Sequence, residues 1–396
     1  MIKGTRRTMG LSSPIRDFLV YARQLEEKGI RVLKLNIGDP NKFDFETPRH
    51  IREALCRAVE ECDNGYADAE GIVELRRAIV EREREKNGID LDVGDVVITT
   101  GVTEAIQAVI AASVEPGDEL LLPGPGYPTY SEYVSFFDGV PVPYKKDESN
   151  DWQPDLDDMR KKITKKTKGI VVINPNNPTG AVYSPKTLKA IADLAAEYGL
   201  FLITDEIYDL MTFDGTHYSP STLAPDVPII IFNGFSKVNL LPGWRLGYIA
   251  FRDAGGQLEE IKSGVMRQLR VRLSANHPCQ IAMLQALKGP KEYMEETNRK
   301  LRERAVFAYK RFNEIEGLST TKPKGAFYIF PKIESNKWKS DRDFILDVLL
   351  NAHILFAPGS GFCKTYGTGH FRSVFLPSID ILAEAFDRLE DFLKSK

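Results

Sequence analysis

Short runs of apolar residues, separated by stretches with helical periodicity, dominate the chain between residues 95 and 251. Seven of these runs have the length of a β-strand. Their apolar residues follow one another without alternating with polar ones, which is typical of strands buried on both faces of a parallel sheet. The predicted strands are VVITT (96–100), ELLLP (119–123), VPVPY (140–144), GIVVI (169–173), LFLIT (200–204), PIIIF (228–232) and YIAF (248–251).

The segment between the fourth and fifth runs predicts a helix with clear ends. Ser184 is suited to cap its N-terminus, Pro185 to occupy its first turn, and Gly199 to end it. Apolar residues at 188–195 repeat at helical spacing and give the helix one apolar face. Because a strand, a helix and a parallel strand form a right-handed unit, we predict an α/β fold with a mainly parallel seven-stranded sheet in a large domain.

The pattern changes after about residue 288. Long, charged, amphipathic stretches there surround two short predicted strands, GAFYIF (325–330) and RSVFL (372–376), as is typical of an α+β domain. The N-terminal segment, which contains VLKLNIGDP (32–40), is predicted to join that domain. We therefore predict an N-terminal segment at 1–50, a large domain at 51–285 and a small C-terminal domain at 286–396.

Composition narrows the class of protein. The 396 residues are 42% hydrophobic and 28% charged, with a net charge of -3 and no long basic block, so we expect no nucleic-acid partner. No apolar run approaches the ~20 residues of a spanning helix, and the N-terminus MIKGTRRTMG lacks the apolar stretch of a signal peptide. These features predict a cytoplasmic enzyme without a membrane partner.

The cysteines and histidines do not predict a metal site. No CxxC pair occurs, and the histidines show no metal-ligand spacing, so each thiol is interpreted as an ordinary buried or half-exposed side chain. The residues concerned are Cys56, Cys62, Cys279, Cys363, His50, His217, His277, His353 and His370.

Two loops that follow predicted strands are suited to bind a ligand, because ligands in open α/β sheets sit at the carboxyl ends of the strands. TTGVTEAI (99–106) opens a helix, so the free N–H groups of Gly101, Val102 and Thr103 would point at an anion. An ordinary glycine turn explains the same residues. PGPGYPTY (123–130) brings Tyr127 to a strand end, where its ring either stacks on a planar ligand or fills a gap between domains.

Three further loops carry groups that are unusual at strand ends. NPNNPTG (174–180) holds three amide side chains in a backbone restricted by two prolines. Asp205 ends an apolar strand, where a buried carboxylate needs a cationic ligand or a structural ion pair. Lys237 follows another strand, with Arg245 eight residues later. A lone Lys is usually solvated, but a buried one can act as a covalent catalyst.

Together these loops predict one ligand. It would carry a dianionic phosphate, a flat ring, a basic ring nitrogen, a phenolic oxygen and an aldehyde. Pyridoxal 5′-phosphate (PLP) has all five features, and its chemistry requires a Lys that bonds to the aldehyde and an acidic partner for the ring nitrogen. PLP is therefore the predicted cofactor.

The chain resembles fold-type-I PLP enzymes, in particular class I aminotransferases, over nearly its whole length. The resemblance rests on NIGDPNKFDFETP, NGYADAEGIVELRRAI, NPNNPTG, DEIY, SKVNLLPGWRLGY and GHFRSVFLP. Within the class, LNIGDPNKFDF, DEIYDLM and TTKPKGAFYIFPKIE are most similar to alanine aminotransferases of archaea and bacteria. The resemblance implies a ping-pong enzyme that moves an amino group between an L-amino acid, with alanine favoured, and 2-oxoglutarate.

The resemblance also implies catalytic roles. Lys237 would bond covalently to PLP and then move a proton from the substrate Cα. Asp205 would keep the ring nitrogen protonated. Asn177 and Tyr208 would donate hydrogen bonds to the phenolic oxygen of the ring.

For binding the cofactor, the resemblance implies that Tyr127 stacks on the ring. Arg245 would bind the phosphate together with the N–H groups at 101–103, and Ser236 would add a hydroxyl. Tyr66 would reach the phosphate of a neighbouring subunit, so a homodimer is expected.

For the substrate, the resemblance implies that Arg372 grips the α-carboxylate, with the backbone of Gly38 and the amide of Asn177 nearby. Related aspartate enzymes often carry a cation for the second carboxylate, and some have a Lys where Thr103 stands here, so its absence favours alanine. Three arginines remain candidates for a second carboxylate, namely Arg267, Arg270 and Arg272. An aspartate or aromatic aminotransferase and a PLP-dependent C–S lyase are the alternatives.

Overall fold

A computed structural model describes residues 3–61 and 64–396, and Cys62 lies outside them. The helices in these ranges are α1 (Arg6–Met9), α2 (Leu19–Glu27), α3 (Arg49–Glu61), α4 (Val73–Asn87), α5 (Val102–Ser113), α6 (Pro128–Phe136), α7 (Leu156–Lys162), α8 (Pro185–Glu197), α9 (Pro220–Leu223), α10 (Glu259–Arg272), α11 (His277–Lys288), α12 (Glu292–Glu314), α13 (Asp341–Asn351) and α14 (Ile379–Lys394).

The strands in the same ranges are β1 (Leu33–Lys34), β2 (Val96–Thr99), β3 (Glu119–Gly124), β4 (Val140–Asp147), β5 (Gln153–Pro154), β6 (Thr167–Ile173), β7 (Phe201–Asp205), β8 (Ile229–Gly234), β9 (Gly247–Arg252), β10 (Leu318–Ser319), β11 (Tyr328–Ile329), β12 (Lys332–Ile333), β13 (Ile354–Leu355), β14 (Ala357–Pro358) and β15 (Phe371–Val374).

The large sheet has the strand order β2-β9-β8-β7-β6-β3-β4-β5. Its five central strands, from β8 to β4, are parallel, whereas β9 pairs antiparallel on both sides and β5 pairs antiparallel with β4. All seven predicted strands are present, and the predicted mainly parallel α/β fold is confirmed. The eighth strand, β5, is only two residues long, too short for an apolar pattern to predict.

Both faces of this sheet are buried, as the continuous apolar runs require. In β6, Ile170 and Val172 pack into a core on one face, while Val171 and Ile173 pack into a core on the other. The predicted connection from β6 through α8 to β7 is also confirmed, with Ser184 Oγ accepting a 3.0 Å hydrogen bond from the N–H of Thr187.

A third core lies among the helices and short strands of the C-terminal part. β1 pairs in parallel with β13, which ties the N-terminal segment to this part of the molecule. β11, β15 and β14 form a separate three-stranded sheet. One space is enclosed by the loop after β1 and by the loops at the carboxyl ends of β3, β6, β7 and β8. The domain boundaries stay a prediction.

Candidate active site

A cavity of about 710 Å³ occupies the space at the carboxyl ends of the large sheet. It is lined by residues of the large sheet's loops, of the loop after β1 and of β15. The predicted site residues that line it are Gly38, Val102, Thr103, Tyr127, Asn177, Asp205, Tyr208, Ser236, Lys237, Arg245 and Arg372. The loops singled out from the sequence thus meet at one place.

The N-terminus of α5 forms a cradle for an anion. Gly101 precedes the helix with φ at +84°, a conformation that favours glycine. A Cβ at Gly101 would lie only 2.7 Å from Nη2 of Arg245, so the guanidinium sits directly over the turn. Gly101 does not itself line the cavity, but Val102 and Thr103 do, and their N–H groups belong to the free first turn of the helix. This arrangement fits a phosphate.

Asp205 lies at the end of β7 and is 3% exposed. Oδ2 accepts a 2.9 Å hydrogen bond from the hydroxyl of Tyr130, and Oδ1 accepts one of 3.2 Å from the N–H of Ile207. Burial raises the pKa of the Asp205 carboxyl to about 6, although both hydrogen bonds oppose the rise. A cation beside this carboxylate would offset the burial, which fits a protonated ring nitrogen.

Lys237 enters the cavity from the loop after β8. Its Nζ donates a 2.8 Å hydrogen bond to the carbonyl oxygen of Gly38. Burial lowers the pKa of the Lys237 ammonium to about 8, while Asp39 raises it and the nearby cations Arg372 and Arg245 lower it further. An amine with this pKa is partly neutral near neutral pH and can act as a nucleophile or a base.

Arg372, on β15, is 2% exposed and lies between two aromatic rings. Its guanidinium carbon lies 4.5 Å from the ring centre of Tyr328 and 4.8 Å from that of Phe362. Nη1 donates a 3.0 Å hydrogen bond to Oδ1 of Asn177, and Nη2 donates to the carbonyl of Asn36. Among the described residues Nε has no hydrogen-bond partner, so the guanidinium keeps capacity to bind a carboxylate.

Two tyrosines meet beside this arginine. The hydroxyl of Tyr208 lies 2.9 Å from that of Tyr328, at hydrogen-bond distance, and both residues are buried. Tyr127 precedes α6 and faces the same cavity, where its ring is only partly buried. Ser236 is buried in the cavity wall beside Lys237.

Some predicted residues lie elsewhere in the chain. Tyr66 is 81% exposed and does not line the cavity. Arg267, Arg270 and Arg272 do not line it either. Arg270 pairs with Glu70 at 3.2 Å, and Arg272 pairs with Glu104 at 3.1 Å. Within this chain, Arg270 and Arg272 are therefore paired with carboxylates outside the cavity, and Arg267 donates to Oγ of Ser263.

Several residues at the site were missed from the sequence. Tyr130 lies in the segment PGPGYPTY, but nothing there marks it as the partner of Asp205, and Tyr328 lies in the predicted apolar strand GAFYIF. Arg16 lines the cavity together with residues 11–15, and the described residues offer its side chain no ion-pair partner. An isolated Arg in a polar N-terminal segment gives no signal of this role.

The cysteines and other potential metal ligands do not form a second site among the described residues. Cys56, Cys279 and Cys363 are free thiols. No group of three or more His, Cys, Asp or Glu side chains that could hold a metal ion occurs within residues 3–61 and 64–396. No helix in that part of the chain is both long and apolar enough to cross a bilayer.

Known proteins resemble the chain over nearly its full length. Residues 30–389 match the family aminotransferase class I and II. Glutamate-pyruvate aminotransferase AlaA of Escherichia coli (strain K12) is 39% identical over 95% of this chain and 93% of its own. Alanine aminotransferase of Mycobacterium tuberculosis (strain H37Rv) is 40% identical over 95% of this chain and 88% of its own. The structure of alanine aminotransferase from Pyrococcus furiosus is 55% identical, with a TM-score of 0.98 and all of both chains covered.

Proposed function

Because the chain belongs to the class I and II aminotransferases, we propose that it is a PLP-dependent enzyme that moves the amino group between alanine and 2-oxoglutarate. The proposal is carried by one observation. A Lys with a lowered pKa, a buried carboxylate and a buried guanidinium, namely Lys237, Asp205 and Arg372, line the same cavity. The relatives named alanine or glutamate-pyruvate aminotransferase support the choice of substrates.

The cavity offers a partner for each part of PLP. The phosphate would lie at the N-terminus of α5 under Arg245, and the ring would lie against Tyr127. Asp205 would hold a proton on the ring nitrogen, while Asn177 and Tyr208 would donate to the phenolic oxygen. PLP supplies an aldehyde that bonds to amines and a ring that takes up negative charge from the substrate Cα.

Lys237 would hold the cofactor through its Nζ and, when that amine is free, would carry the proton from the substrate Cα. A pKa of about 8 leaves a useful fraction of the amine neutral near pH 7, which a general base requires. Nζ already lies 2.8 Å from the Gly38 carbonyl, and this contact holds the amine at the cavity wall.

Arg372 would bind the α-carboxylate of the substrate. Its planar fork is fixed by Asn177, Asn36 and the two aromatic rings, so little side-chain freedom is lost on binding. A carboxylate held by two parallel hydrogen bonds would orient the Cα–H bond relative to the ring.

Arg16 would bind the second carboxylate of glutamate and 2-oxoglutarate. It is the additional cation that the N-terminal segment brings to the cavity, and its side chain is exposed. Alanine and pyruvate lack a second carboxylate and would not need this contact. One cavity would then accept both substrate pairs.

The enzyme is proposed to work as a homodimer. Tyr66 is 81% exposed in the single chain, which suits a side chain that completes the phosphate site of a second subunit. In that case, mixing a Tyr66→Phe variant with a Lys237→Ala variant would give heterodimers that have one intact site.

The proposal is tested by the absorbance of the purified, PLP-loaded protein. Addition of alanine, glutamate, aspartate or an aromatic amino acid, each alone, should shift the visible cofactor band if that amino acid gives up its amino group. We expect alanine and glutamate to react best. Release of pyruvate and ammonia from one amino acid without an oxo acid would instead identify a C–S lyase, and no spectral change with any of them would refute the proposed function.

A further inference from the structure

A buried Lys contacts the loop 174–180, which also contacts the predicted substrate anchor, and does not line the cavity. Lys146 is 3% exposed at the end of β4, and its Nζ donates a 2.7 Å hydrogen bond to Oδ1 of Asn176. None of the ion pairs among the described residues includes it. Burial, the largest cause, lowers the pKa of the Lys146 ammonium well below its ordinary value. Burying an amine without a carboxylate partner costs free energy, so we expect this Lys to have a role that offsets the cost.

Its acceptor, Asn176, organises the loop 174–180. Oδ1 of Asn176 also accepts hydrogen bonds from the hydroxyl and the N–H of Thr179, at 2.9 and 3.3 Å. The backbone N–H of Asn176 donates to the carbonyl of Ala181 at 2.9 Å, and its carbonyl accepts from the N–H of Gly180 at the same distance. The position of Asn176 therefore fixes the shape of the loop.

Asn177, the next residue in this loop, contacts Arg372, the predicted anchor of the substrate carboxylate. Oδ1 of Asn177 accepts the 3.0 Å hydrogen bond from Nη1 of Arg372. An aromatic path leads to the same guanidinium, because Trp152 packs on Phe330 at 5.7 Å and Phe330 packs on Phe362 at 5.9 Å. Nζ of Lys146 lies 5.8 Å from the ring centre of Trp152, at the start of that path.

We propose that Lys146 is a positioning residue for the substrate carboxylate, acting through Asn176 and Asn177 on the guanidinium of Arg372. The inference rests on the proposed function, since it takes Arg372 as the carboxylate anchor. Lys146 touches neither the substrate nor the cofactor site. Its loss should weaken the binding of every substrate that shares the α-carboxylate more than it slows the chemical step.

The test compares Lys146→Met with Lys145→Met in the PLP-loaded enzyme. Lys145 precedes Lys146 on the same strand but is exposed, so it controls for the loss of a lysine from β4. We expect Lys146→Met to raise the dissociation constant of maleate, a dicarboxylate without an amino group, about tenfold, as loss of a buried hydrogen bond allows. KM for alanine and for glutamate should rise together, with kcat within about threefold of wild type.

Two further variants keep the test decisive. If Lys146→Met does not fold, Lys146→Gln replaces the amine by a shorter polar side chain, and a rise in the maleate constant in the same direction is expected. In an Asn176→Ala background, Lys146→Met should change the maleate constant by less than about twofold, because the two residues act through one contact.

Unchanged maleate binding in a folded Lys146 variant would overturn the inference and leave the proposed function standing. A lower melting temperature without a change in the maleate constant would overturn it equally, since this is the result of a purely structural role. Failure of the wild-type protein to bind maleate and to react with any amino acid would refute the proposed function and this inference together.

Discussion

Replacing Asp205 by Asn should stabilise the cofactor-free protein while it damages the loaded enzyme. Burial raises the pKa of this carboxyl from 3.8 to about 6. Each tenfold change in proton affinity equals about 1.36 kcal/mol, so the ionised carboxylate destabilises the folded chain by about 3 kcal/mol. Asn has nearly the same shape, carries no charge and can still bond to Tyr130 and to the N–H of Ile207. The free energy of unfolding of the Asp205→Asn protein should therefore exceed that of wild type by about that amount.

The sign of the effect with pH follows from the raised pKa. The folded protein binds the proton more tightly than the unfolded chain, so folding loses stability as the pH rises from 3.8 through about 6. Below 3.8 the carboxyl is protonated in both states, and the substitution should have little effect. At pH 5 the gain should be about half of its full value, which is reached above pH 7.

The assay is urea unfolding of the cofactor-free wild-type and Asp205→Asn proteins at pH 5 and pH 8, at equal protein concentration. We expect the difference in the free energy of unfolding to grow with pH. In the PLP-loaded enzyme the variant should have lower turnover than wild type, because Asn cannot hold a proton on the ring nitrogen. A variant that is no more stable than wild type at pH 8 would show that the carboxylate is not strained by burial, and the argument for a cationic ligand there would fail.

Three other substitutions test the remaining parts of the site. Lys237→Ala should leave no cofactor fixed to the chain after borohydride reduction and should lower turnover about 10²–10⁴-fold; normal turnover would refute its role. Gly101→Ala places a Cβ 2.7 Å from Nη2 of Arg245 at a positive φ and should weaken PLP binding in a titration, whereas the control Gly94→Ala, with nothing within 4 Å of the added Cβ, should not. Arg16→Met should raise KM for glutamate and 2-oxoglutarate about tenfold and leave that for alanine within about twofold, and an equal rise for alanine would contradict its assignment.

The sequence predicted the large sheet well because both faces of its strands are buried. The seven apolar runs could be recognised as strands although their apolar residues do not alternate with polar ones. The ends of α8 carry local signals at Ser184 and Gly199. The loops at the strand ends could then be combined into one site by the general position of ligands in open sheets. The two-residue strand β5 leaves no comparable pattern.

Residues that act on others across the fold could not be predicted in this way. Tyr130 and Tyr328 are aromatic residues in apolar surroundings, and their sequence context suits core packing as well as a hydrogen bond. Only the three-dimensional structure places their hydroxyls 2.9 Å from Asp205 and from Tyr208, respectively. Arg16 is similar, because its proximity to the cavity depends on the path of the N-terminal segment and not on its neighbours in sequence.

The charges around the cavity explain why the amine of Lys237 is suited to act both as a nucleophile and as a base. Arg245 and Arg372 both lower the pKa of Lys237, yet each lies where the proposed function needs an anion, the phosphate in one case and the substrate carboxylate in the other. Binding of these anions would offset the two cations in turn and leave burial as the main cause of the lowered pKa. The amine would thus be more readily deprotonated before the substrate carboxylate binds at Arg372, and would hold a transferred proton more firmly once both anions are in place.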